Sequence, residues 1–295
     1  MKSIVVLSGK GGVGKSSISA SLAVAFSKDK KIVCADCDVD ASNLSLLFSL
    51  FTNKYVEWNP LSTNQIAIVD EDKCISCGKC IDICYFNALK MVRNIPKINK
   101  FGCEGCGACE LICPTNAIKL QDIDNANIGY AKTNYCFFIA SAQLLPGNSG
   151  SGKVVFQVRK KASEISKDTE YMIIDSAAGI GCPVIASVTG NDYAILVSEP
   201  TPSGFSDMKK AMDVVNHFRI KHGIIINKFD LNQEYSEKIE SFAKDNDIEI
   251  INKIPYDKQF VKAMTEMIPI VDFDKKYEPI FEEIKQKVII EINKK

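Results

Sequence analysis

Near its start the chain carries SGKGGVGKSS (residues 8–17), directly after the apolar run IVVL. No other stretch limits the fold as strongly. Gly9–Ser16 matches G-x-x-x-x-G-K-S/T throughout, and such a loop needs a strand before it and a helix after it. The pattern predicts a strand over residues 3–8 and a helix over Lys15–Ser27. Glycines let the backbone wrap a phosphate, and the helix N-terminus adds partial positive charge. Gly9, Lys10, Gly11, Gly12, Val13, Gly14, Lys15, Ser16 and Ser17 are therefore the candidate ATP-binding loop. Lys15 would reach the β- and γ-phosphates and Ser16 would hold Mg²⁺.

Downstream, continuously apolar runs recur at 31–36, 171–175, 193–198, 223–227 and 247–251, with helix-length segments such as Ser206–Phe218 between them. Strands buried on both faces alternating with helices predict an α/β fold, a mostly parallel twisted sheet flanked by helices. Ile280, Ile284, Val288 and Ile292 predict an amphipathic helix near the end of the chain.

From about Gln65 to Gln121 this rhythm stops. CISCGKCIDICYFNALK and CEGCGACELICPTNAIK align at an offset of 29 residues, Cys74 onto Cys103 and Asn87 onto Asn116. The expectation is a small α+β domain at 65–121 inserted into a domain made of 1–64 and 122–295. Residues 122–151, polar and rich in Gly, Ser and Asn at both ends, are expected to be irregular linker.

Acidic and basic residues balance at 36 each, so there is no bulk charge for nucleic acid and no nucleic-acid partner is expected. No apolar run reaches membrane-spanning length, and MKSIVVLSGKGG does not read as a secretory signal. Eight of the 12 cysteines have cluster spacing, which points to a reducing cytoplasm rather than a disulfide framework.

Those eight fall into Cys74-x₂-Cys77-x₂-Cys80-x₃-Cys84 and Cys103-x₂-Cys106-x₂-Cys109-x₃-Cys113-Pro114. Paired zinc knuckles would separate two C-x₂-C pairs by a longer loop. The whole segment resembles a bacterial ferredoxin with two 4Fe-4S clusters, in which the fourth cysteine of each run ligates the other cluster. That resemblance implies one cluster on Cys74, Cys77, Cys80 and Cys113, and a second on Cys84, Cys103, Cys106 and Cys109. Tyr85 stands where the first run could have proline. Of the remaining cysteines, Cys34 and Cys37 read as small core residues, and Cys136 has no assigned role.

Lys10 lies early in the loop, where ordinary phosphate loops need no lysine. With ADCDVDASN after the second strand and IIDSAAGIG after the 171–175 strand, the chain outside the insertion resembles the deviant Walker A ATPases of the MinD/Mrp/ParA superfamily. The resemblance implies that Lys10 acts across an ATP-bound homodimer. Asp36 and Asp40 match the family's switch carboxylates, one orienting the attacking water and one holding Mg²⁺, with Asp38 as an alternative. It further implies that Asp175 is a Walker B-like Mg²⁺ carboxylate, that Gly179 approaches the γ-phosphate, and that Asn227 contacts the base. KIPYD (253–257), with Pro255, would supply a second base contact. Cys182, seven residues after Asp175, stands either where a cluster could bridge two chains or as a plain helix-start residue.

The nearest match is the group of these ATPases with an inserted ferredoxin. It implies ATP/ADP, Mg²⁺ and two 4Fe-4S clusters as cofactors, and slow ATP hydrolysis coupled to a conformational switch. The implied partner is a metalloenzyme that receives electrons, or a cluster, during activation or maturation. The alternative is a MinD/ParA-like spatial organiser or scaffold with redox-sensing clusters.

Overall fold

Ile4–Leu7 are completely buried, as a strand covered on both faces must be. They belong to β1 (Lys2–Ser8), an interior strand of a nine-stranded sheet. The computed structural model describes residues 1–148 and 150–294. The other strands are β2 (Ile32–Cys37), β3 (Glu57–Val69), β4 (Leu89–Val92), β5 (Ile95–Ile98), β6 (Ile118–Lys132), β7 (Phe138–Leu144), β8 (Tyr171–Ala178), β9 (Tyr193–Ser198), β10 (Lys221–Asn227) and β11 (Glu249–Ile254). The large sheet has the order β11-β10-β9-β1-β8-β2-β7-β6-β3. Every neighbouring pair from β11 to β7 is parallel.

The linker expected at 122–151 is instead largely strand, because β6 runs to Lys132 and β7 follows at Phe138–Leu144. Composition hid both. β7 buries the small residues Ala140, Ser141 and Ala142, which carry little hydropathy. β6 lies near the sheet edge, where polar side chains such as Gln121, Asp122 and Asp124 are tolerated. The expected helix at Lys15–Ser27 has those bounds, while the later one runs Pro202–His217.

The chain divides into two compact units: Met1–Trp58, Ile128–Gln143 and Ser151–Lys295, and then Asn59–Asn127 with Leu144–Gly150. The first holds the parallel strands and their helices. Its terminal helix, Glu278–Asn293, packs on the Lys15–Ser27 helix and buries Phe281, Ile284, Val288 and Ile292. Lys285 on the same helix is 2% exposed and donates to Asp29 at 2.7 Å and Glu282 at 3.0 Å. No helix among the described residues is long and apolar enough to cross a membrane.

In the second unit the 29-residue repeat of the sequence is also a repeat of the backbone. Ser76 and Gly105 have φ of 58° and 61°, Gly78 and Gly107 have 79° and 80°, and Asn87 and Asn116 have 51° and 53°. Short helices at Lys79–Asp82 and Ala108–Ile112 follow the two left-handed glycines. β4 and β5 form a separate antiparallel hairpin.

Candidate nucleotide site and cysteine cavities

The phosphate loop leaves the C-terminal end of β1, as ligand sites of open parallel sheets do. Gly14 caps the Lys15–Ser27 helix at φ 95° with no side-chain cap bond and no acidic residue in the first turn. The helix N-terminus is therefore left for an anion. A Cβ on Gly14 would lie 2.4 Å from Asn227 Nδ2, and one on Gly9 would lie 2.0 Å from the Asp207 carbonyl oxygen. Both glycines are needed because other elements pack against the loop.

An open cavity at the loop is lined by Gly11, Gly12, Gly14, Lys15, Ser16, Ser17, Asp38 and Asn43, with Leu46, Met264 and Met267 on an apolar side. Lys15 is 6% exposed. Its Nζ donates to Asp175 Oδ1 at 3.0 Å and lies 3.7 Å from Asp38 Oδ2. Burial pulls its pKa down, but the charges of Asp175, Asp38 and Asp36 outweigh burial and hold it above the ordinary lysine value. Ser16 Oγ is 3.4 Å from Lys15 Nζ, and Ser19 Oγ donates to Asp175 at 2.8 Å.

Asp36 and Asp175 are register partners on β2 and β8, and neither is exposed. Burial first, then the charge of Asp175, pushes the Asp36 carboxyl up to about 8. Asp36 Oδ1 and Asp175 Oδ2 are buried without a hydrogen-bond partner. Two orphaned carboxylate oxygens beside the loop are a donor set that a hard divalent cation satisfies. Asp36 Oδ2 accepts from the Ser45 N–H at 3.3 Å and from Ser45 Oγ at 3.4 Å.

The structure separates the three aspartates after β2. Asp38 lines the cavity beside Lys15, whereas Asp40 is exposed and not among the lining residues. Lys10 is bound within its own chain, 2.7 Å from Glu199 Oε1 and 3.1 Å from Ser203 Oγ. Glu199 also holds Lys228 at 3.0 Å, and Lys228 donates to the Gly12 carbonyl at 3.0 Å. Burial would raise the Glu199 pKa, but bonds from Lys10 and Lys228 pull it below the usual value. Sequence reading missed Glu199 and Lys228. The available signal was their position, since Glu199 directly follows β9 and Lys228 directly follows β10.

Asn227 is 4% exposed and donates to the Val13 carbonyl at 2.7 Å, so here it braces the loop. Gly179 has φ 97° and its N–H donates to the Ser8 carbonyl at 2.9 Å. Pro255 follows β11 and is half-buried. Cys182 begins the Cys182–Val188 helix and is exposed, while Cys34 and Cys37 are buried.

In the second unit, one cavity is lined by Cys74, Cys77, Cys80 and Cys113 and another by Cys84, Cys103, Cys106 and Cys109. The Ala88 N–H donates to Cys84 Sγ at 3.3 Å and the Ala117 N–H to Cys113 Sγ at 3.2 Å, equivalent bonds one repeat apart. Burial raises the Cys80 and Cys109 thiols. Burial also acts to raise Cys113, but hydrogen bonds from Thr115 and Ala117 hold it below the ordinary thiol value. Among the described residues, no three His, Cys, Asp or Glu side chains are grouped so as to hold a single metal ion.

The comparisons with known proteins bear on the first unit's chemistry. Residues 4–270 match the model of the CobQ/CobB/MinD/ParA nucleotide binding domain. An uncharacterised protein of Methanocaldococcus jannaschii is 37% identical over 97% of this chain and 95% of its own. The solved structure of the septum site-determining protein MinD from Pyrococcus horikoshii, complexed with Mg-ADP, superposes with a TM-score of 0.59 at 19% identity, covering 97% of this chain and 95% of that one. MinD in the MinC:MinD cell division protein complex of Aquifex aeolicus gives 0.59 at 19% identity, covering 98% and 96%. The match over residues 4–270 shows that this chain belongs to the CobQ/CobB/MinD/ParA family of nucleotide-binding ATPases.

Proposed function

We propose that the chain is an ATP-driven switch of the MinD/ParA kind whose second unit carries two 4Fe-4S clusters. The observation that carries the ATP reading is Lys15 clamped between Asp175 and Asp38, beside buried carboxylate oxygens that lack a partner. Mg²⁺-ATP resolves that arrangement. Lys15 turns to the β- and γ-phosphates, Ser16 and the carboxylates hold the cation, and the free amides of the helix N-terminus hold phosphate. Asp38, the switch carboxylate in the cavity, is our choice to orient the attacking water in place of Asp40. Lys10 must leave Glu199 and Ser203 to act across a dimer. Joining and parting of two copies is then the switch. Asn227 and Pro255 remain our candidates for the base.

The family resemblance favours a MinD/ParA-like organiser, which uses nucleotide state to bind and release a partner, over a dedicated electron donor. The Aquifex structure is of a complex of MinD with MinC; for this chain the partner is unidentified. A second reading, delivery of electrons or a cluster to a metalloenzyme, is favoured by the two cysteine cavities. Four sulfurs lining a cavity, rather than meeting at a point, suit a cube bound at four corners. The backbone N–H bonds to Cys84 and Cys113 suit cluster ligands as well. Such a group would supply one-electron storage. The chain's own contribution is the paired cavities and the amides aimed at sulfur.

The test has two parts. Anaerobically prepared chain holds about eight irons, and Cys74→Ala loses iron while Cys34→Ala does not. Iron near zero, or replaced by zinc, refutes the cluster reading. Sedimentation with Mg²⁺-ATP shows a dimer that Lys10→Ala fails to form although it still binds nucleotide. A Lys10→Ala dimer that turns over normally refutes the switch. Nucleotide-dependent capture on DNA or vesicles favours the organiser, and ATP-dependent reduction of an acceptor favours delivery.

A further inference from the structure

Because residues 29 apart share backbone conformations, the two cysteine cavities can be compared position by position. Lys79 lines the Cys74/Cys77/Cys80/Cys113 cavity, and its counterpart in the other is Ala108. Ile75 lines the first, and its counterpart in the second is Glu104. Thr115, with Oγ1 3.8 Å from Cys113 Sγ, corresponds to Phe86, which has no hydrogen to offer Cys84. One difference runs the other way. The Ala67 N–H donates to Cys103 Sγ at 3.5 Å, and the same offset places Pro96, which has no N–H, beside the first cavity. These two long sulfur contacts, one per cavity, oppose each other. The linings also differ in charge, with Lys79 at the first cavity and Glu104 at the second.

Resting on the reading that each cavity holds a 4Fe-4S cluster, we propose that the two clusters have unequal reduction potentials. The first electron settles at Cys74/Cys77/Cys80/Cys113, where Lys79 stabilises the added negative charge. Glu104 opposes it at Cys84/Cys103/Cys106/Cys109. Both side chains are exposed, so salt narrows the gap. Only an electron moves, from a one-electron donor to one cluster, and no bond is made or broken. In an organiser, the Lys79 cavity then sets the redox threshold. In a donor, it is where an electron waits for the acceptor.

The experiment is a dithionite titration of the anaerobic full chain with mediators, followed by low-temperature EPR, after iron analysis of each variant. The wild type takes up two electrons in two separate steps. Lys79→Ala lowers the higher-potential step and leaves the lower one in place. Glu104→Ile raises the lower step and leaves the higher one, and high salt draws the wild-type steps together. A single wild-type step for both electrons, or a Lys79→Ala shift confined to the lower step, overturns the inference while the cluster reading stands. Iron far below eight overturns the cluster reading itself, whatever the potentials.

Discussion

Asp36 makes the stability of the nucleotide-free chain depend on pH in a calculable direction. Its carboxyl titrates near 8 in the fold, against 3.8 for a free side chain, because it is buried beside Asp175. Between those values the folded chain holds a proton that the unfolded chain has released. Stability is thus full below about pH 4 as far as this group is concerned, and falls as pH rises toward 8. At about 1.4 kcal/mol per unit over roughly four units, the loss is on the order of 5 kcal/mol, comparable with a domain's whole margin. Asp36→Asn removes the titration, and its amide can still accept from Ser45 and donate toward Asp175. Urea unfolding of both proteins without nucleotide, at pH 5 and pH 8.5, isolates the effect. The variant gains on the wild type by several kcal/mol at the higher pH relative to the lower. Saturating Mg²⁺-nucleotide restores the wild type at pH 8.5 by supplying the cation the carboxylates lack. Parallel stability curves for the two proteins across this range would refute the reasoning.

Asp38→Asn lowers single-turnover ATP hydrolysis by about 10²–10⁴-fold, the usual range for losing a positioned base, whereas Asp40→Asn stays within a few-fold. The reverse ranking would return the role to the exposed residue. Lys285→Ala lowers unfolding free energy by roughly 2 kcal/mol, less than for a fully buried pair because the Asp29 and Glu282 left behind are half exposed and can hydrate. Its ATP turnover is unchanged, as steady-state kinetics will show, since the clasp lies on the terminal helix.

What was legible in the sequence is what local chemistry dictates. The loop's glycines, the apolar strands and the duplicated cysteine runs each answer to a backbone or packing need within a few residues. Asn87 and Asn116 aligned in sequence because both occupy left-handed backbone. β6 and β7 were illegible because their strand character comes from their neighbours. Small buried residues and edge polarity look like linker until the sheet is assembled. The division of labour among Asp36, Asp38 and Asp40 was illegible for a related reason. The three alternate along the end of one strand and its turn, and only the fold shows that one is buried, one faces Lys15 and one meets solvent. Glu199 and Lys228 grip Lys10 and the loop from positions roughly 200 residues away. No periodicity could have revealed that.

The hydrogen bonds around Asp36 reach residues that lie, along the chain, close to the points where it passes from the first unit to the second. Ser45, which serves Asp36, accepts from the Tyr55 hydroxyl at 2.9 Å and shares a 2.5 Å contact with Ser141 on β7. Tyr55 in turn meets the edge of Trp58, with ring centroids 4.6 Å apart. Trp58 is the last residue of the first unit before the chain enters the second, and Ser141 lies just before Gln143, where it enters again. A hydrogen bond to a carboxylate is stronger than one to a neutral carboxyl. Loss of the Asp36 proton on cation binding therefore tightens the demand on Ser45. It also redistributes the bonds that Ser45 shares with Tyr55 and Ser141. A nucleotide can shift an equilibrium only through differential affinity for its two states, and the reciprocal influence is then obligatory. The residues that feel the charge of Asp36 are thus those at the ends of two segments leading into the cysteine unit.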